Sequence, residues 1–245
     1  MPTRAVRLSL ALGAGIGRGV RMLLPALCPV CRSVPRPVGG CACSACLGDL
    51  GTLPGPRCGQ CGGTLDGALE ACGECLRLGP RPWTLAVSAF RFDGVARQVI
   101  HRFKYQGDTA LARPLAAAMA ANWRLHGSGQ PDVVTAVPLH WSKRAARGYN
   151  QAELLAELVS RELCLPLEAL LRRCRRTAQQ AMLDFDERQQ NMRGVFAVRS
   201  SARLGGRRVL LVDDVLTTGA TLAEASRTLL AADAAAVSIL TAARG

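Results

Sequence analysis

Two adjacent carboxylates, Asp213 and Asp214, close the apolar run Val209-Leu-Leu-Val212 and lead at once into Val-Leu-Thr-Thr-Gly-Ala-Thr221. Such a pair is suited to accept hydrogen bonds from a sugar diol or to help hold a hydrated Mg2+. Side by side in apolar surroundings the two would repel strongly unless a ligand or metal compensated them. The turn behind them, made of small hydroxyl residues and one glycine, can aim successive backbone NH groups and Thr hydroxyls at a phosphate. The positive end of the helix that follows would assist, and Gly219 lets the main chain approach closely. An ordinary N-cap at Thr217 or Thr218 would explain the turn but not the acidic pair. The sequence has no G-x-x-x-x-G-K-[ST], so this is not the phosphate loop of a P-loop ATPase.

Cysteine supplies the second chemistry. Nine of the eleven cysteines fall between residues 28 and 75, and eight of them form four C-x-x-C pairs: Cys28/Cys31, Cys43/Cys46, Cys58/Cys61 and Cys72/Cys75. Two intervening residues let one tight turn present both sulfurs to a single ion, with its backbone NH groups facing them. Two such knuckles complete a tetrahedral zinc site with four thiolates. Eleven residues separate the first two pairs and ten the second two, so the segment reads as two similar ribbons. A disulfide-stapled secreted module would need a signal peptide. A redox pair would involve one C-x-x-C at a helix start, not four in a Gly/Pro-rich stretch. Two structural zinc ions are therefore expected, and the spacings allow either tandem or interleaved pairing. An all-thiolate site has no open position for substrate, which makes the ribbons structural or partner-binding. Cys41 reads as a spare, and the distant Cys164 and Cys174 as core or partly buried thiols.

The elements that must position these groups lie in a basic, foldable chain. Lys and Arg number 31 against 18 Asp and Glu in 245 residues, a formal +13. Eight zinc-bound thiolates would lower that to about +9, still attractive to phosphate-rich partners. An apolar content of 49% excludes a disordered or collagen-like chain. Three Trp, two Tyr and five Phe are too few for rows of stacking platforms along a single strand. No membrane span is expected, because the best N-terminal candidate, residues 8–27, is cut by Arg18 and Arg21. The apolar run after Arg4 and Arg7 has no small-x-small cleavage site behind it, so residues 1–24 read as a basic amphipathic segment and not as a secretory signal.

Residues 25–79 then form the double ribbon, and Gly79-Pro80-Arg81-Pro82 marks the boundary of a second domain, residues 83–245. There the hydrophobic patterns alternate between strand and helix. Strands are expected at 84–92, 132–139, 195–198, 208–215 and 236–241, and helices at 94–105, 111–124, 151–164 and 221–232. The run at 208–215 is continuously apolar up to the acidic pair, as in a strand buried between two helical layers. This implies an α/β fold with a mostly parallel sheet flanked by helices and a ligand site at the carboxyl ends of its strands.

The thirteen residues 209–221 closely resemble the phosphoribosyl-pyrophosphate (PRPP) motif of type I phosphoribosyltransferases. The similarity extends to the ComF family through Phe103-Lys-Tyr-Gln-Gly-Asp108, Val137-Pro-Leu139, Arg147-Gly-Tyr-Asn-Gln151, Thr177-x-x-Gln180-x-x-Leu183 and Arg188-x-x-Asn191-x-x-Gly194-x-Phe196. The four-knuckle segment resembles that family's double zinc ribbon, so the likeness spans about residues 22–245. It implies that Asp213 and Asp214 contact the ribose hydroxyls and that Thr217, Thr218, Gly219, Ala220 and Thr221 hold the 5-phosphate. It further implies that Lys143, Arg144 and Arg147, in a loop over residues 138–147, bind pyrophosphate bridged by Mg2+. A flexible loop over residues 172–191 would close the site with Arg176, Thr177, Gln180, Arg188 and Asn191. His140 beside the pyrophosphate loop reads as a hydrogen-bonded structural residue in preference to a proton acceptor.

Family members are associated with natural competence, the internalisation of single-stranded DNA into the bacterial cytoplasm, which implies a cytoplasmic location. Three functions follow. The chain is a Mg2+-dependent phosphoribosyltransferase with a nitrogen acceptor. Or it is a competence factor binding single-stranded DNA through basic surface and ribbons, with PRPP as a regulatory or structural ligand. Or it is a zinc-ribbon protein docking a DNA-translocation partner beside a vestigial PRPP site. Arg172, Arg173, Arg175 and Arg176 would add to the DNA surface, with Phe103, Tyr105 and Tyr149 as stacking groups. The reading adopted is a PRPP-binding protein of ComF type.

Overall fold

A computed structural model describes residues 26–37, 40–50, 53, 55–65, 71–175 and 191–245. The expected N-terminal segment, residues 1–24, and the loop residues Arg176, Thr177, Gln180 and Arg188 lie outside them. The chain divides into two compact units, Met1–Leu47 and Gly48–Gly245.

In the first unit Cys28, Cys31, Cys43 and Cys46 converge. In the second, Cys58, Cys61, Cys72 and Cys75 converge in the same way, with α1 (Gly73–Leu78) starting directly after Cys72. The pairing left open by the spacings is thus tandem.

The rest of the second unit is built on a four-stranded parallel sheet in the order β1-β6-β5-β2. The strands are β1 (Leu85–Arg91), β2 (Val133–Ala136), β5 (Arg208–Leu216) and β6 (Ala236–Arg244). β3 (Leu171–Arg173) and β4 (Phe196–Val198) form a separate antiparallel pair, so the first residues of the expected flexible loop are strand. The helices are α2 (Gly94–Tyr105), α3 (Ala112–His126), α4 (Trp141–Arg147), α5 (Gln151–Leu163) and α6 (Ala220–Leu230). α3 and α5 pack on each other and on the sheet, while α6 packs on β4, β5 and β6.

The central strands β5 and β6 are buried over most of their length, as expected of a parallel sheet covered on both faces. Two buried hydroxyls of the sheet satisfy each other: Ser88 of β1 and Thr241 of β6 hydrogen-bond at 2.7 Å, both fully buried. One apolar cluster joins Val209, Leu211, Val237 and Ile239 of the sheet to Leu222, Ala223 and Leu229 of α6 and to Cys58, Cys61, Cys75 and Trp83. The second cysteine ribbon therefore shares the core of the sheet domain. It also covers the free edge of β1, where the Ala86 NH donates to the Gly59 carbonyl at 2.9 Å and Arg57 Nη1 donates to the Ser88 carbonyl at 3.0 Å. Covering an edge in this way removes a template for unwanted strand pairing.

Three local readings change. The segment expected as a loop over 138–147 is helical from Trp141. His140 is its N-cap, accepting from the Ser142 NH at 3.3 Å, and Gly148 ends it in the left-handed region at φ 81°. Phe103, offered as a stacking group, is fully buried, because α2 packs through Ala96, Val99, Ile100 and Phe103 at helical spacing. Cys164 and Cys174 are exposed and not core thiols; Cys164 ends α5 with a positive φ of 54°, a conformation belonging to a surface turn.

Candidate functional site

A cleft of about 700 Å3 opens at the carboxyl ends of β2 and β5. Register places it there: Ala136 pairs with Val212, and the Val137 NH bonds to the Val212 carbonyl at 3.0 Å. The next residue of β5 is Asp213, level with the point where Pro138 turns the chain away from the sheet. Lys104, Lys143, Arg147, Arg173, Asp213, Asp214 and Thr221 line this cleft.

The acidic pair lies inside β5, before its last residue, with Asp213 paired to Thr241 of β6. Asp213 Oδ1 accepts the Asp214 NH at 2.8 Å. Asp214 is 9% exposed, and Lys104 Nζ reaches it at 2.8 Å. Burial first, and then the neighbouring Asp214 charge, push the Asp213 carboxyl up from 3.8 to about 7, against the pull of Lys104 and Arg173. Lys104 in turn is held above its ordinary value: burial lowers it, but the carboxylates of Asp214 and Asp213 outweigh that. The floor of the cleft is thus a compressed acid–acid–ammonium cluster.

Lys104 carried no role in the sequence reading, although it stands within the Phe103-Lys-Tyr stretch. What delivers it is the end of α2, and the Gly148–Gln151 stretch holds that end in place. The Tyr149 hydroxyl donates to the Phe103 carbonyl, Gln151 Nε2 donates to the Lys104 carbonyl at 3.4 Å, and Asn150 Nδ2 donates to the Val137 carbonyl at 3.2 Å. Asn150 also caps α5, accepting the Ala152 NH at 3.1 Å. This short motif therefore ties the end of a strand, the end of one helix and the start of another into one joint beneath the cleft.

Around the rim the expected basic residues separate. Lys143 and Arg147 line the cleft, with Arg147 held by Gln151 Oε1 at 3.1 Å and stacked 4.8 Å from the Tyr105 ring. Arg144 points elsewhere, to Glu153 at 3.0 Å, and is not among the lining residues. Arg173 joins from β3, its guanidinium against the Phe196 ring. Asn191 gives its carbonyl to Arg175 Nη2 at 3.4 Å.

Behind the acids, residues 217–221 turn through Gly219 at φ 79° into α6. Thr217 is exposed, Thr218 and Thr221 are half-buried, and Thr221 reaches the cleft. A Cβ on Gly219 would come within 3.0 Å of the Trp83 ring, so both conformation and packing require glycine there. The expected acids and turn are contiguous at one strand end, as the sequence reading requires.

In each cysteine cluster the four sulfurs lie within 4.8 Å of one another. Backbone NH groups face them: the Cys43 NH donates to Cys28 Sγ at 3.4 Å and the Gly63 NH to Cys61 Sγ at 3.4 Å. The backbone hydrogen bonds of residues 33 and 34 lower Cys31 to about 6. At Cys58, burial works upward, but three backbone hydrogen bonds outweigh it and hold the thiol at about 7. Burial pushes Cys46, Cys61 and Cys75 the other way, as expected of neighbouring thiols with no ion between them; four soft donors with preset amides suit tetrahedral zinc. Cys41 belongs to neither cluster.

A parallel α/β domain with an acidic pair and a glycine turn at a strand end, joined to two four-cysteine clusters, is the architecture of a phosphoribosyltransferase domain carrying a double zinc ribbon. Comparison agrees: residues 150–245 match the phosphoribosyl transferase domain, and residues 19–76 match the double zinc ribbon domain. Competence protein F of Haemophilus influenzae is 37% identical over 193 residues, covering 76% of this chain and 83% of that protein. DNA utilization protein YhgH of Escherichia coli is 34% identical over 224 residues, covering 89% and 96%. Competence protein ComFC of Bacillus subtilis is 25% identical, covering 77% of each chain. The chain belongs to the ComF family of competence and DNA-utilization proteins. No helix among the described residues is long and apolar enough to cross a membrane.

Proposed function

We propose that the cleft binds PRPP with Mg2+ and that the chain handles incoming single-stranded DNA in the bacterial cytoplasm. The observation that carries the sugar-phosphate reading is the acidic pair of β5, with Asp214 buried and Asp213 half-buried, followed two residues later by the glycine turn into α6, in a cleft also lined by Lys143, Arg147 and Arg173. In this reading Asp213 and Asp214 accept the ribose hydroxyls, residues 217–221 hold the 5-phosphate, and Lys143 and Arg147 neutralise the pyrophosphate. Mg2+, carried in with PRPP, supplies further neutralisation of the leaving group. Lys104, paired with Asp214 at 2.8 Å, holds that carboxylate in place. If transfer to a nitrogen acceptor follows, the bond from the anomeric carbon to the pyrophosphate oxygen breaks through an oxocarbenium-like centre. Catalysis then rests on leaving-group neutralisation in a water-poor cleft.

Calorimetry with PRPP and Mg2+ tests the pocket. Wild type should bind, and Asp213→Asn and Asp214→Asn should each weaken binding by at least about ten-fold, the worth of a hydrogen bond to a charged group. Undiminished affinity in both variants would sink the assignment.

The DNA part rests on the names of the relatives, on the net charge and on exposed aromatics beside the basic rim: Tyr105 is 62% exposed and Trp141 75%. It is tested by titrating oligonucleotide against salt, where affinity should fall by about 0.7 log unit per log unit of salt for each phosphate contact. Release of pyrophosphate on adding a nitrogen acceptor would establish transferase activity. Docking of a DNA-translocation partner by the ribbons is the remaining reading, and it requires the PRPP titration to be blank.

A further inference from the structure

The second cysteine ribbon and the phosphate-binding turn are joined by two side chains that neither chemistry accounts for. Trp83 lies between them. Its indole NH donates to the Gln60 carbonyl, inside the Cys58–Cys61 knuckle, at 2.5 Å. The other end of the same ring stands 3.0 Å from where a Cβ of Gly219 would be. Arg81 lies against the Trp83 ring at 5.6 Å and donates from Nη1 to the Thr218 carbonyl at 3.0 Å. It is partly buried, and its Nε has no hydrogen-bond partner among the described residues. A third link runs along β6: Arg244 pairs with Glu74 of α1, is drawn to Cys61, and continues into Gly245, whose NH bonds to the Leu216 carbonyl at 3.0 Å just ahead of the turn.

We infer that the second ribbon is a strut for the turn at residues 217–221, and that Trp83 and Arg81 are positioning residues that transmit its metal-held shape to the sugar-phosphate site. The physical reason is leverage. A turn whose NH groups must converge on one phosphate works only if its carbonyls are held away from the ligand, and the Thr218 carbonyl is held by Arg81. Arg81 is in turn fixed by a ring anchored on a knuckle whose shape depends on four thiolates converging on one ion. Neither residue lines the cleft, so neither is catalytic. Loss of metal from Cys58, Cys61, Cys72 and Cys75 then loosens the turn without touching any ligand-contacting group. The link to PRPP rests on the function proposed above; the link to the turn does not.

The test is hydrogen exchange at the amides of residues 217–221 in the full-length, zinc-loaded protein without ligand. Arg81→Ala should leave zinc content and melting temperature close to wild type and speed exchange in the turn by about ten-fold, the scale of one lost hydrogen bond to a charged group. Arg81→Lys should restore part of the protection. Trp83→Phe, which keeps a ring but removes the donor to Gln60, should act in the same direction. Cys72→Ser should speed exchange in the turn, and adding Arg81→Ala to it should change little more, because both act through one strut. Unchanged exchange in Arg81→Ala, or full additivity with Cys72→Ser, overturns the inference. In parallel calorimetry, Arg81→Ala should weaken PRPP by a similar factor. A wild type that binds no PRPP refutes the sugar-phosphate reading, while the exchange data still decide on the strut.

Discussion

Asp213 is held in a position that opposes stability, and replacing it by asparagine should show how much. In the unfolded chain its carboxyl titrates near 3.8, and in the folded protein at about 7. Between those values the folded protein keeps a proton that the unfolded chain has released. Stability from this group is therefore complete at pH 4 and below, falls as the pH rises, and levels off above pH 7. About three pKa units at ~1.4 kcal/mol each set an upper bound of ~4 kcal/mol. Asp213 is only half-buried, so solvent screens part of that and leaves ~2 kcal/mol as the working figure. Asparagine retains the oxygen that accepts the Asp214 NH at 2.8 Å and removes the charge. Urea unfolding of wild type and Asp213→Asn at pH 5, 6, 7 and 8 measures the difference, which includes the response of Asp214 and Lys104 to the lost charge. The variant should gain on wild type as the pH rises and exceed it by ~2 kcal/mol at pH 8, while binding PRPP poorly. That is the trade expected where a site stores repulsion for its ligand to relieve. Superimposable stabilities across the range, or a wild type that gains on the variant toward pH 8, would refute the reasoning.

Lys104→Met should cost ~3 kcal/mol in urea at pH 7, because it strands Asp214 without the ammonium 2.8 Å away. Adding Asp214→Asn should recover most of that loss, and strictly additive costs would mean that the pair is not coupled. Gly219→Ala imposes a side chain at φ 79° against the Trp83 ring and should lose ~1–3 kcal/mol; a variant as stable as wild type would refute that packing. Metal analysis of purified protein should find two zinc ions per chain, on the two four-cysteine clusters. Because Cys58 and Cys61 lie in the core of the sheet domain, stripping zinc should lower the melting temperature of that domain as a whole. A melting curve indifferent to chelation would contradict a structural role. Thr241→Val leaves the buried Ser88 hydroxyl without its 2.7 Å partner and should cost ~1–3 kcal/mol in urea.

What could be read in advance was local in the chain. The acids and the glycine turn lie within nine residues of one another, 213–221, and their strand–turn–helix geometry follows from an apolar run, a glycine and small hydroxyl residues. The helix over Gly94–Tyr105 emerges as expected, because its apolar face recurs at helical spacing. The stretch over 138–147 does not announce its helix, since seven residues carrying Lys and two Arg bury none of their side chains. That helix forms because His140 caps one end and Gly148 the other. The exposure of Cys164 follows from its place at the end of a helix, which residue type alone does not convey.

Residue types and their spacing specify the chemistry available: thiolates spaced for zinc, carboxylates near the end of a buried strand, and a turn of small hydroxyl residues around one glycine. Spacing along the chain carries that information because each of these units is closed by neighbouring residues. Only the folded chain shows that the cysteines pair in tandem, that Lys104 meets the acids while Arg144 turns from the cleft to Glu153, and that the second ribbon is built into the core behind the glycine turn. Those are contacts between segments distant in sequence, set by the register of parallel strands and by which faces pack together, and no local pattern encodes them.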